Sequence, residues 1–227
     1  MSPVSKMLFR AVSLSVLLIS GSAMAIEAPD NAGIDWRGPD GSTALQWAVY
    51  EGDVDRVKQL IKAGADVNVA NNYGALPMQL AAEVANLEML EILLKAGANV
   101  DSASQEGQTS LMLVARTGNV EAAKLLAKHG ANINAIEQWG QQSALMWASA
   151  RRHAAMMEEL IQQGADINAQ SIARDYKRHV TKEGRAKSLD SGGLTPLLYA
   201  IRENCKQCVD VLINHQVDLD KPDPEGV

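Results

Sequence analysis

The chain has 227 residues, and 47% of them are apolar, which excludes an intrinsically disordered protein. Only 4% are aromatic, so closely packed helices are favoured over a sandwich or barrel, whose core usually contains more aromatic bulk. The formal net charge of −6 argues against nucleic acid as the main partner, because phosphate binding requires a basic face.

Residues 1–25 have the order of a secretory signal peptide. Two basic residues and no acidic one precede the apolar run of residues 11–19, and small residues end the segment at Ala25. The run is shorter than the roughly 20 residues of a membrane-spanning helix. We therefore predict cleavage after Ala25, which leaves a mature chain of charge −8 without a membrane insertion and exported, in a bacterium, to the periplasm. The alternative is an uncleaved N-terminal anchor.

Residues 26–37 are predicted to form a short leader, and from residue 38 the chain repeats itself. One glycine series has a spacing of 33 residues, interrupted once by a spacing of 53: Gly41, Gly74, Gly107, Gly140, Gly193 and Gly226. A second series has a spacing of 33 or 34: Gly64, Gly97, Gly130 and Gly164. The first series predicts turns before a helix, and the second predicts left-handed residues after a helix.

Each repeat is predicted to contain two helices. Thr43, Thr109 and Thr195 can cap the first helix, and the second has apolar residues at helical spacing. No such unit can bury its apolar face alone, so the stack of units is the folding unit.

The repeats resemble the ankyrin motif G-x-T-P-L-H-x-A, as GSTALQWA and GLTPLLYA illustrate, and KQLIKAGADVN resembles its second helix. The resemblance begins near Trp36 and departs locally, with Leu76 in place of threonine and one extra residue near Gln141. It implies an all-α solenoid of stacked helix–turn–helix units with short β-hairpin turns, and a non-catalytic protein-binding role. With the predicted export, the chain resembles exported bacterial ankyrin-repeat proteins. Residues 38–227 hold five complete repeats and the start of a sixth, so a longer array is expected.

Partner-binding residues are predicted at two places in the repeats. Hairpin tips precede each glycine of the first series, and Tyr73, Gln105 and Trp139 are the predicted contacts there. The second place is a row on the first helices, where aromatic side chains could anchor a partner on the concave face. Packing between the helices is the favoured alternative for this row, which consists of Trp47, Leu80, Leu113, Trp147 and Tyr199.

Residues 171–192 interrupt the period between the fourth and fifth repeats. The insertion carries a net charge of +3, to which Arg174, Lys177, Arg178 and Lys182 contribute. We interpret it as a basic finger that binds an acidic partner or anionic group, or else as a tolerated surface loop.

Cys205 and Cys208 open the second helix of the fifth repeat, and three interpretations remain for them. They form a local disulfide, stay as half-buried thiols, or serve a redox or metal role. The spacing does not fit haem attachment, because valine follows Cys208, and zinc would need two further ligands.

No catalytic or metal-binding pattern and no cofactor motif is recognised elsewhere in the sequence, and the four histidines have no repeated ligand spacing. A protein-binding scaffold is the leading functional prediction. The alternatives are a thiol-redox accessory protein that uses Cys205 and Cys208, and a stress or immunity factor that masks an enzyme or toxin.

Overall fold

A computed structural model describes residues 32–173 and 192–221 as a stack of five helical repeats. Each repeat has an inner helix, a tight turn and an outer helix. The inner helices are α1 (Ala44–Glu51), α3 (Pro77–Glu83), α5 (Ser110–Thr117), α7 (Ala144–Ala150) and α9 (Pro196–Arg202). The outer helices are α2 (Val54–Lys62), α4 (Leu87–Lys95), α6 (Val120–Lys128), α8 (Ala154–Gln162) and α10 (Lys206–Asn214).

The two rows of helices form two layers around one continuous core. Every inner helix contacts the inner helices of the adjacent repeats, and every outer helix does the same in its own row. Small buried residues let the inner helices approach closely: Ala48, Ala81, Ala115, Ala148 and Ala200. Leucine and methionine fill the space between the layers: Leu45, Met78, Leu111, Leu145 and Leu197. The predicted all-α solenoid is confirmed.

Side-chain caps start the inner helices as predicted. The side chains of Thr43, Thr109 and Thr195 each accept a hydrogen bond from the backbone N–H three residues later, and Ser143 does so in the fourth repeat. Leu76 has no such group, and there the Gln79 amide oxygen accepts from the Leu76 N–H at 3.1 Å. The two glutamines of the first repeats also join units, because Gln46 and Gln79 donate to backbone carbonyls of the next hairpin.

The hairpins between repeats are narrow. Within the described residues they contain isolated antiparallel bridges and no strand, for example between Ala103 and Thr109. In the fourth repeat the extra residue moves the left-handed position from glycine to Gln141, whose φ is 52°. Residues 32–37, assigned to the leader, contact the first repeat: Ala32 is buried, and its carbonyl accepts a hydrogen bond from Arg56.

Candidate partner-binding surface

The inner face of the array is lined by the inner helices and the hairpins. The row on the inner helices that was predicted to make either core or partner contacts lies between the core and the surface. Leu113 and Tyr199 are buried, whereas Trp47, Leu80 and Trp147 are half-buried. One helical turn after Trp47, Tyr50 is 37% exposed and meets the Trp47 ring edge-on, with the ring centroids 5.9 Å apart. The row therefore fills the space between inner helices and also leaves aromatic edges at the surface.

The hairpin tips form a ridge beside the inner face. Backbone hydrogen bonds join the first tip to the second, from the Asn72 N–H to the Asp40 carbonyl, and the third tip to the fourth, from the Gln138 N–H to the Glu106 carbonyl. Tyr73 is 71% exposed on this ridge. Because the tips are bonded to one another, the ridge presents its side chains from a fixed backbone.

Gln105 is also exposed, but its side chain has a packing role that the sequence did not reveal. Gly74 has a φ of 77°, and a Cβ atom at this position would meet the Gln105 side chain. Asn72 and Gln138 lie in the same way against Gly41 and Gly107. The side chain two residues before each tip glycine therefore covers the preceding tip, and this stacking fixes the ridge.

Trp139 lies at the fourth tip and is 63% exposed. A buried carboxylate shapes its turn, because Glu137 is 4% exposed and accepts hydrogen bonds from three backbone N–H groups. The donors are Trp139, Gly140 and Gln142, at 2.5, 2.8 and 3.0 Å. Gln142 also donates to the Tyr199 hydroxyl at 2.6 Å, which links this tip to the inner helix of the fifth repeat.

Two arginines lie over aromatic rings on the C-terminal half of the inner face. The Arg116 guanidinium is 5.9 Å from the Trp147 ring centroid, and the Arg202 guanidinium is 4.8 Å from that of Tyr199. Both arginines also have acidic neighbours, since Arg116 pairs with Glu83 at 3.2 Å and Arg202 with Glu203 at 3.1 Å. These residues were missed from the sequence, although their position one turn after the aromatic row was a usable signal.

The insertion begins and ends at the base of the fifth hairpin. The Ser171 N–H donates to the Leu194 carbonyl, and Ala173 and Gly192 form an antiparallel bridge. The Ile172 N–H donates to the Gly140 carbonyl, so this hairpin continues the ridge. The four predicted contacts Arg174, Lys177, Arg178 and Lys182 lie outside the described residues, as do Gly226 and the predicted start of a sixth repeat.

Cys205 and Cys208 are joined in the structure, with their sulfur atoms 2.04 Å apart. Cys205 is the N-cap of α10, and its sulfur accepts a hydrogen bond from the Cys208 N–H at 3.2 Å. The pair replaces the Asp53 or Asn119 cap of earlier repeats. Both cysteines are buried, at 5% and 0% exposure, so the bond faces the core.

The described residues include no cluster of three or more histidine, cysteine or acidic residues able to hold a metal ion. In this part of the chain, no helix has both the length and the apolar character required to cross a bilayer.

Glu158 has a lowered pKa, chiefly because the Gln162 amide donates to its carboxylate and secondly because His215 does, at 3.0 Å. This pair joins α8 and α10 and is a contact between repeats.

Comparison with curated proteins finds short matches within the repeats. The palmitoyltransferase AKR1 of Saccharomyces cerevisiae is 44% identical over 45 residues, which is 20% of this chain and 6% of the yeast protein. Notch-regulated ankyrin repeat-containing protein A of Danio rerio is 44% identical over 44 residues, 19% of this chain and 39% of that protein, and the Homo sapiens protein of this name matches equally. The chain thus spans well under two thirds of these relatives.

Family models cover most of the chain. A model of three ankyrin repeats matches residues 13–104 and 86–171, and a model of a single ankyrin repeat matches residues 192–224. The gap between the matches is the insertion, and the first match starts inside the predicted signal peptide. With five helix–turn–helix units stacked in the described residues, the chain belongs to the ankyrin-repeat family.

Proposed function

We propose that this protein is a non-enzymatic scaffold of the bacterial envelope that binds a protein partner through its inner face, hairpin ridge and basic insertion. Ankyrin repeats suggest a protein–protein interaction scaffold, because a stack of repeats presents an extended binding surface. The palmitoyltransferase among the relatives matches only over 45 residues, so its activity does not transfer to this chain.

The ridge of hairpin tips carries the proposal. Tyr73 and Trp139 are two large side chains exposed on tips two repeats apart, roughly 20 Å at the usual spacing of packed helices. Aromatic anchors dominate the binding energy of many protein interfaces. The hydrogen bonds between tips and the turn built on Glu137 hold these anchors in place before binding, so little ordering entropy is lost.

Site-specific photo-crosslinking tests the proposal. A benzophenone amino acid at Tyr73 or Trp139 is expected to give covalent adducts with a partner protein in intact cells. Matched controls carry the same residue at Leu87 or Ile213 on the outer helices, where apolar side chains are also exposed. Adducts of one mass from the ridge, absent from the outer helices, support the scaffold. Equal labelling from both surfaces, or no adduct from the ridge, contradicts it.

The proposed envelope location depends on the N-terminal segment and has its own test. Signal peptidase cleavage after Ala25 would leave Ile26 as the first residue of the mature protein. Intact-protein mass spectrometry of the chain expressed in a bacterium, after osmotic shock, is expected to show that N-terminus in the released fraction. A chain retained with residues 1–25 in the cytoplasm contradicts export and leaves the scaffold proposal standing.

A thiol-redox role for Cys205 and Cys208 is the weaker alternative. A thiol that exchanges with a substrate must be reached by it, and both cysteines are buried against the core. The replacement of an ordinary helix cap by the bonded pair supports a stabilising role for the disulfide.

A further inference from the structure

The last turns of the inner helices differ in charge along the array. The first two repeats place acidic residues there, Glu51 and Glu83. The third repeat places Arg116 there, in the fourth Arg151 and Arg152 directly follow the helix, and the fifth has Arg202 next to Glu203. With four arginines and one glutamate at these helix ends, the C-terminal half of the inner face is basic, on a chain whose formal net charge is −6.

In this basic half, arginines and aromatic rings alternate across repeats. Arg116 of the third repeat lies over Trp147 of the fourth, and Arg202 lies over Tyr199 of the fifth. The Arg116 and Arg202 guanidinium groups already bind one carboxylate each, of Glu83 and Glu203, and an arginine has five N–H donors, so further N–H groups can bind a carboxylate of a ligand. The stacking also restricts the side chain before a ligand arrives, which lowers the entropy lost on binding.

Arg151 and Arg152 add two charges beside Trp147. Both are exposed, and neither forms an ion pair within the residues that the structure describes. Arg152 has a φ of 64°, whereas the same turn of the first and third repeats uses Gly52 and Gly118. A left-handed arginine costs roughly 1–2 kcal/mol relative to the right-handed form. The second repeat has Ala85 in the same conformation, with a φ of 50°, so the turn itself requires it, and Arg152 adds an exposed charge there.

We propose that this arginine–aromatic patch, consisting of Arg116, Trp147, Arg151, Arg152 and Arg202, binds an acidic segment of the protein partner. The proposal rests on the scaffold function and names the chemistry of what the inner face recognises. A carboxylate-bearing peptide fits because its apolar side chains can contact Trp147 while its carboxylates meet the guanidinium edges. A nucleic acid fits less well, since it extends over a larger area and the chain as a whole has a formal net charge of −6.

Fluorescence anisotropy with labelled peptides tests the patch on the full mature chain. The probe is a peptide of alternating glutamate and leucine, and the controls are glutamine–leucine and lysine–leucine peptides of equal length. We expect the glutamate peptide to bind about ten-fold more tightly than the glutamine peptide at low salt. Arg151→Glu with Arg152→Glu should weaken it by about ten-fold or more.

Two further variants separate the patch from net charge and from folding. Lys62→Glu with Lys128→Glu makes the same charge change at exposed ends of the outer helices and should leave the affinity within about two-fold. Arg151→Gln with Arg152→Gly removes the charges and relieves the positive φ, so it should fold at least as well and still lose affinity.

Three results would overturn the inference. They are equal binding of the glutamate and glutamine peptides, equal losses from the arginine and lysine variants, and a single-stranded oligonucleotide that binds more tightly than the glutamate peptide. Each of these results can occur while crosslinking from the ridge still captures a partner. In that case the scaffold proposal remains supported, and only the proposal of an acidic ligand is contradicted. Absence of ridge crosslinks, in contrast, would remove the scaffold itself.

Discussion

The first three repeats and the last two build the same turn between inner and outer helix in different ways. In the first three, an oxygen of Asp53, Asn86 or Asn119 caps the outer helix. In the fourth, His153 makes no side-chain cap, and in the fifth the Cys205 sulfur accepts the bond. An oxygen cap stabilises a helix by about 1 kcal/mol, so the outer helices of the last two repeats lack this contribution. These two repeats also adjoin the insertion, and they carry all of the arginine–aromatic patch except Arg116.

The comparison teaches that regular and irregular caps of the outer helices lie in different parts of the array. The first three repeats have the regular oxygen cap, and the departures from it lie in the two repeats that hold most of the arginine–aromatic patch. The fifth repeat replaces the lost cap with a covalent bond and the helix-ending glycine with Gln216. Substitutions that restore the ordinary residues test whether these departures cost stability, as the comparison requires.

The largest effect is expected from the disulfide. Joining Cys205 to Cys208 closes a loop of four residues, which stabilises the folded state by about 2 kcal/mol in the chain-entropy account. Reduction should therefore lower the free energy of unfolding of the fifth repeat by about that amount, with faster amide exchange in α10. Urea unfolding with and without a phosphine reductant measures it.

The control variant for this experiment gives the fifth repeat the N-cap residues of the third repeat. Cys205→Asn with Cys208→Ala copies Asn119 and Ala122, so it should be insensitive to reductant and regain about 1 kcal/mol through the oxygen cap. If reduction leaves the unfolding curve of the unmodified chain unchanged, the cross-link does not compensate for the missing cap.

A smaller effect is expected where the outer helices end. Gly97 has a φ of 87° and open space around its missing Cβ, so Gly97→Ala should cost about 1 kcal/mol through backbone strain alone. Gln216 occupies the same turn with a φ of 59°, and Gln216→Gly should stabilise by about 0.5 kcal/mol. Urea midpoints at constant slope measure both. Destabilisation by Gln216→Gly would mean that the Gln216 side chain stabilises the last repeat.

The smallest effect concerns the ion pair between the last two repeats. The folded state lowers the pKa of Glu158 below its ordinary value of 4.5, so the unfolded chain binds protons more readily in this range. The contribution is present above pH 4.5 and is lost as the pH falls through the lowered value. Because the carboxylate is 39% exposed, we expect only about 0.3 kcal/mol, and Glu158→Gln should flatten the acid limb of stability against pH. An unchanged acid limb would show that the pair is fully screened.

Much of the fold was predictable because the same short-range sequence signals recur in each repeat. The threonine caps and the left-handed glycines follow from short-range chemistry, and the extra residue near Gln141 was visible as a break in spacing. The structure also places the Cys205 pair at the start of an outer helix, as the spacing indicated.

The surface was harder to predict because it depends on contacts between repeats. Arg116 lies over Trp147 of the next unit, and this contact between repeats follows only from how the two units stack, although the spacing of Arg116 from the aromatic row was a usable signal. Glu137 is a buried acid in a turn, because three backbone N–H groups of that turn donate to its carboxylate. Gln105 was predicted as a partner contact, and the structure adds packing against the glycine of the previous hairpin.

The bridge between Ala173 and Gly192 has a consequence for how this protein can change. Ala173 and Gly192 are antiparallel partners, so the two ends of the described chain on either side of the insertion are held next to each other. Doubling the length of a flexible connection costs only about 0.6 kcal/mol. We therefore expect that the eighteen residues between them can be replaced by a sequence of different length and charge while the described repeats keep their fold.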